Sequence, residues 1–173
     1  METIRNKVAE SGILTLDLEA YYPNQEIIEL DLKPFLFMET ILKEKEFREQ
    51  MNGHNWKQYT DKHVAVFCSV DAILPMWAFM LVASKLTEQS AVVYFGNQED
   101  CFREQYIENI RKINTEPFSD KRVVVKGCGE KTIPEAAYLE ITRLLTPVVK
   151  SLMYGEPCST VPVFKRKKTD TEN

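Results

Sequence analysis

The chain has 173 residues, 44% of them hydrophobic and 28% charged, and a formal net charge of −4. That length suffices for one domain of ordinary size with a full core, and the acidic balance excludes general affinity for nucleic acid, whose phosphates require a basic face. A membrane span is not expected either, because the longest apolar run, from Ala72 to Ala83, is short and interrupted by Pro75.

Met1 to Glu10 is a polar lead-in without the basic start, apolar core and small-residue cleavage site of a secretory signal. A cytoplasmic location is expected. From Ile13 to Leu18 the pattern alternates, with Leu14, Leu16 and Leu18 on one face, as in a half-buried strand. Tyr21-Tyr22-Pro23-Asn24 is turn chemistry. Ile28, Leu30 and Leu32 then alternate with Glu29 and Asp31 in a second strand, expected as the neighbour of the first. Pro34 opens an amphipathic helix predicted to reach Met51, with Phe35, Met38, Ile41, Leu42, Phe47 and Met51 near one stripe. Glu39 with Lys43 and Glu44 with Arg48 form favourable pairs one helical turn apart, and Asn52-Gly53 supplies the stop.

Three similar units follow. Val64 to Cys68 leads into a helix expected from Ala72 to Leu86, with Asp71 as its N-cap and apolar residues all round. Ala91 to Gly96 leads into a helix from Asp100 to Ile113, and Val123 to Cys128 into one that begins near Pro134. Continuous β-branched and aromatic runs suit strands covered on both faces, and repeated strand-then-helix units imply parallel pairing through right-handed crossovers. The last helix carries a capping box, Thr132-Ile133-Pro134-Glu135, and a stripe through Ile141, Leu144, Leu145, Val148 and Leu152, with a kink expected at Pro147. Gly155 closes it, and the segment from Glu156 to Pro162 reads as an extended loop. The expected architecture is a single α/β domain over residues 1–164: a mostly parallel sheet of three βα units, extended by one or two N-terminal strands, with helices on both faces. Residues 165–173 read as a disordered, solvated tail whose Lys165, Arg166, Lys167 and Lys168 leave the body more acidic than the total.

Chemistry is most legible in the cysteines. Cys68, Cys101, Cys128 and Cys158 are too sparse for a secreted disulfide scaffold, so thiols, thiolates or metal ligands are expected. Cys68 and Cys128 stand at equivalent places, each at the carboxyl end of a strand, the edge at which open α/β sheets bind ligands. With Cys158 they make a candidate thiolate site for zinc or iron, to which Asp71 or Glu156 could add a carboxylate. The long-range spacing matches no paired-cysteine motif, and the plain alternative is cysteine as a small buried hydrophobe. A second possibility makes Cys68 a nucleophile or sulfur carrier, its thiolate favoured by a helix N-terminus. A base for it is lacking: His63 lies at the far end of the same strand, roughly 15 Å away if extended, and His54 is in a loop expected to be solvated. Cys101 reads as incidental, and Trp77, Phe79 and Met80 as core. Glycine-rich phosphate loops do not occur, so no nucleotide cofactor is expected.

The stretches LTLDLEAYYP, FLFMETILKEKEFRE, CSVDAILPMWAFMLVASKL, VVVKGC, PEAAYLEITRLLTPV and SLMYGEPCSTVPVFK together resemble the bacterial family designated domain of unknown function 2480. CSVDAILP and YGEPCSTVP are the distinctive segments, and the likeness extends to Lys165. The resemblance brings no activity. Members of that family tend to be encoded beside iron–sulfur cluster assembly components, so it implies iron–sulfur assembly proteins as partners and lends support to thiolate chemistry. Three readings stand at this point: a cytoplasmic metal-binding or iron–sulfur accessory protein, a thiol enzyme using Cys68, and a non-catalytic interaction module that presents the basic tail or acidic body.

Overall fold

In the computed structural model, which describes residues 12–127, 129–156 and 158–167, seven strands and four helices form two mostly parallel sheets. The lead-in and the end of the tail, residues 168–173, lie outside the described residues. The mixed α/β class read from the sequence is the class observed. The strands, however, divide between two sheets, and the chain divides into two compact units: Met1–Pro23 with Tyr106–Asn173, and Asn24–Gln105.

In the first unit, β1 (Ile13–Leu16) pairs in parallel with β5 (Arg122–Val125), which pairs in parallel with β6 (Ser151–Glu156); β7 (Ser159–Lys165) runs antiparallel to β6 at the edge. The second unit holds a three-stranded parallel sheet in which β3 (His63–Phe67) lies between β2 (Ile27–Asp31) and β4 (Val92–Phe95). β1 and β2 are therefore not neighbours. Alternation tells which face of a strand is buried, but says nothing about which strand it meets.

Helices differ from expectation where local backbone overrides the apolar stripe. The helix expected from Pro34 opens only as α1 (Glu44–Gly53). A single 3-10 turn, Lys33–Phe35, precedes it, Phe37 bridges Ile41, and Met38 and Glu39 take left-handed φ values of 49° and 60° that no α-helix accommodates. α2 (Met76–Thr87) starts with Pro75 at its N-cap, so Asp71 is not the cap. A proline tolerates that position because its missing N–H would find no partner there, whereas a start at Ala72 would put the ring inside the helix. Nor is α2 buried all round: Ala78, Val82 and Leu86 are, while Met76 and Met80 are each 71% exposed.

α3 (Gln98–Arg111) follows β4, and the boundary between the units falls within it. α4 (Glu135–Leu145) ends before Pro147 rather than kinking there. The residues expected to prolong it, from Ser151, form β6 instead, and the supposed exit loop is the β6–β7 hairpin. Proline excludes continuation, and Leu152, read as the last of a helical stripe, is buried as a strand residue. The first residues read as tail are structured: Lys165 ends β7, and Arg166 donates to Asp120. Among the described residues no helix is long and apolar enough to cross a membrane.

In the second unit Phe47, Met51, Val64, Val82 and Leu86 form a buried cluster with Trp56 and Tyr59, and the Trp56 indole donates to the Met51 carbonyl at 2.7 Å. His54 belongs to this group rather than to solvent. It stacks on Tyr59, meets Phe35 and Trp56 edge-on, and is held below its ordinary pKa by burial.

In the first unit the buried ring is Tyr106, wholly inaccessible, whose phenol donates to the Leu18 carbonyl at 2.5 Å. Removing only the hydroxyl in Tyr106→Phe leaves a buried carbonyl without that donor, which costs about 1–3 kcal/mol. Urea unfolding of the two proteins checks this; unchanged stability would mean the bond contributes nothing net.

Candidate carboxyl-edge site

Parallel strands that end in register deliver their next residues to one edge. β1 and β5 align Leu16 with Val125, so Asp17 and Lys126 leave the sheet side by side. Their side chains pair, Lys126 Nζ donating to Asp17 Oδ2 at 2.8 Å. That hydrogen bond holds the Asp17 carboxyl below its ordinary pKa, against burial and with help from the Glu19 N–H, and it raises the Lys126 ammonium, to which Glu19 and Glu156 also add.

Glu19 fixes the next loop. Its carboxylate accepts from the Lys131 N–H at 2.6 Å and occupies the place where a side chain on Gly129 would begin, so a larger residue at 129 would have to displace the Glu19 carboxylate. Lys131 Nζ lies 4.4 Å from the centre of the Tyr22 ring.

β6 brings the third part. Tyr154 aligns with Val125, and its hydroxyl donates to the Gly127 carbonyl at 3.2 Å. Two residues on, Glu156 pairs with Ser159 across the turn to β7, and Cys158 is exposed within that turn. Gly155 makes the turn possible with φ of 120°; a Cβ there would meet the Ser159 carbonyl at 2.5 Å. Glu156 Oε1 is buried and has no hydrogen-bond partner among the described residues. An orphaned carboxylate oxygen is costly unless a donor or cation satisfies it.

The five residues expected to form one site are thus placed as follows. Glu156 and Cys158 share the turn after β6 in the first unit. Cys128 follows Gly127 in the chain and lies outside the described residues. Cys68 and Asp71 belong to the second unit. Cys68 is partly buried and packs against the core there, and Asp71 is exposed. α2 opens at Met76, so the helix expected to begin just after Cys68, at Ala72, starts further along the chain. His63, at the far end of the strand that precedes Cys68, is engaged elsewhere, with Gln105 Nε2 3.0 Å from Nδ1. Cys101, read as incidental on a surface helix, is fully buried; burial first, then Glu104, Asp100 and Glu29, push its thiol up to about 11. Among the described residues no three His, Cys, Asp or Glu side chains gather as a ready-made metal site.

Sequence reading missed Asp17, Glu19 and Lys126. The available signal was position: each lies one to three residues past the end of a parallel strand, as Cys128 does. The second unit has a smaller counterpart, in which Asp31 accepts from the Ser69 hydroxyl at 2.6 Å and from the Lys33 and Ser69 N–H groups, and is held below its ordinary pKa although burial opposes this.

Since the folded Asp17 pKa is the lowered one, the stability it contributes is present above the ordinary carboxylate pKa and is lost as pH falls through the folded value. Asp17→Asn keeps an acceptor for the Glu19 N–H but loses the ion pair. It is expected to lower the urea midpoint at neutral pH and to converge on the parent protein in acid; an equal deficit at both would refute the pairing.

Comparison with curated proteins and with solved structures returns no match. Residues 2–166, nearly the whole chain, match the family described as Protein of unknown function (DUF2480), and the chain belongs to that family.

Proposed function

We propose that the carboxyl edge of the first unit's sheet binds zinc or iron through Cys158 and Glu156, and that the protein serves as a metal-handling accessory to iron–sulfur assembly proteins. The observation that carries this reading is the Glu156 oxygen, buried without a hydrogen-bond partner two residues from an exposed thiol. Thiolate sulfur and carboxylate oxygen are a donor pair that both metals accept. Carboxylates gather here as well: Asp17, Glu19 and Glu156 all act on the Lys126 ammonium, three to one. Two protein donors do not complete a tetrahedral site, and Cys128, one residue beyond Gly127, is the candidate third. Cys68 and Asp71, in the other unit, are not needed by this reading.

Metal analysis of protein purified without oxygen and without a metal-affinity column tests it. Near-stoichiometric zinc or iron is expected, strongly reduced in Cys158→Ser, Glu156→Gln and Cys128→Ser and retained in Cys68→Ser. Apo-protein that also takes up neither metal on addition would overturn the reading. Retention of metal in Cys158→Ser with loss in Cys68→Ser would move the site to the second unit.

A further inference from the structure

The first unit contains a cavity of about 410 Å³ between α4 and the β6–β7 hairpin, lined among others by Glu135, Tyr138, Ile141, Leu152, Tyr154 and Val163. Irregular pairing opens it. Leu152 aligns with Phe164 and Met153 with Pro162, which leaves Val163 as an extra residue without a cross-strand partner. The volume lies within the range of small-molecule sites, about 300–1,000 Å³.

Its walls are mostly apolar, and among the described residues the one charged group in its lining is a carboxylate, Glu135. Tyr138 and Tyr154 meet at 76° with ring centres 5.7 Å apart, forming a corner, and the bond from the Tyr154 hydroxyl to Gly127 fixes one side of it. Aromatic faces carry partial negative charge and attract ammonium groups. Glu135, in the first turn of α4, adds a carboxylate with which no cation pairs among the described residues. The helix N-terminus offsets roughly half of that charge, so the rim stays negative. The Thr142 hydroxyl, also in the lining, donates to the Tyr138 carbonyl at 2.7 Å in its own helix and is therefore committed as a donor, not open to an anion.

We propose that this cavity is a binding site for a small organic ammonium compound. The apolar body lies against Ile141, Leu152 and Val163, and the cationic head lies between Tyr138, Tyr154 and the Glu135 carboxylate. This site uses none of the residues assigned to the metal reading and stands or falls separately from it.

Titration calorimetry with three probes of one shape tests the inference: phenethylamine, phenethyl alcohol and phenylacetate. Saturable binding of the amine is expected, about fivefold or more tighter than the alcohol, with phenylacetate weakest. Glu135→Gln, an exposed position, should reduce the preference for the amine, leaving the part that the two tyrosine rings supply. Val163→Trp, which fills the cavity from an edge strand, should abolish binding, and Tyr154→Leu provides a second variant that removes one wall of the corner. Equal affinity for amine and alcohol, tighter binding of phenylacetate, amine binding that survives both Val163→Trp and Tyr154→Leu, or no saturable binding of any probe would overturn it. Metal content should be the same in Glu135→Gln as in the parent protein.

Discussion

The buried hydrogen bond from the Tyr106 phenol to the Leu18 carbonyl is the constraint on which the first unit's edge depends. Leu18 opens the 3-10 turn Leu18–Tyr21 that immediately follows β1, and Asn109 holds the other end of that turn by donating to the Tyr21 carbonyl. With both ends fixed to α3, Asp17 and Glu19 have little freedom: one meets Lys126 and the other closes over Gly129. Burial raises the Tyr106 phenol well above its ordinary pKa, so it stays a donor throughout the physiological range. A neutral, wholly buried hydrogen bond thus fixes a charged and exposed edge. That division of labour suits a site, because the surface pair Asp17–Lys126 alone would contribute little to stability.

Parallel register does the rest. β1 and β5 end level at Leu16 and Val125, in line with Tyr154 of β6, so the loops after β1 and β5 start side by side and β6 carries on past them to Glu156. The same geometry places Asp31 beside Ser69 at the end of β2 and β3. The two edges differ in completeness. Asp31 has its acceptors filled by one hydroxyl and two N–H groups, a closed structural arrangement. Glu156 has an oxygen left over.

Sequence patterns recovered most strands and their βα order, because β-branched runs and period-two alternation are local properties. They could not recover partners. Val123 to Val125 looks like the third repeat of the units around Val64 and Val92, yet it pairs with the N-terminal strand, a choice that rests on the chain path and not on strand composition. Helix starts failed for a sharper reason: Met38, Glu39 and Pro75 impose backbone conformations that an apolar stripe cannot reveal. The candidate edge was half legible. Its position at the strands' carboxyl ends followed from the α/β class, and Glu156 and Cys158 stood out by composition, whereas grouping Cys68 with them assumed one sheet where there are two.

Differences among the cysteines follow from burial and from what precedes each one. Cys101 is enclosed and close to three carboxylates, conditions that favour the thiol and keep it inert. Cys68 packs against the second unit's core, and the helix that follows it in the chain opens only at Met76. Cys158 is exposed at a turn held open by Gly155, beside an unsatisfied carboxylate. Exposure alone would make it a surface thiol of no consequence. What distinguishes it is its place in the β6–β7 turn with Glu156, whose Oε1 is buried without a hydrogen-bond partner among the described residues. The two proposals for this unit therefore rest on different groups, a metal on the Glu156 oxygen in the turn after β6 and an ammonium group on the Glu135 carboxylate of the cavity lining.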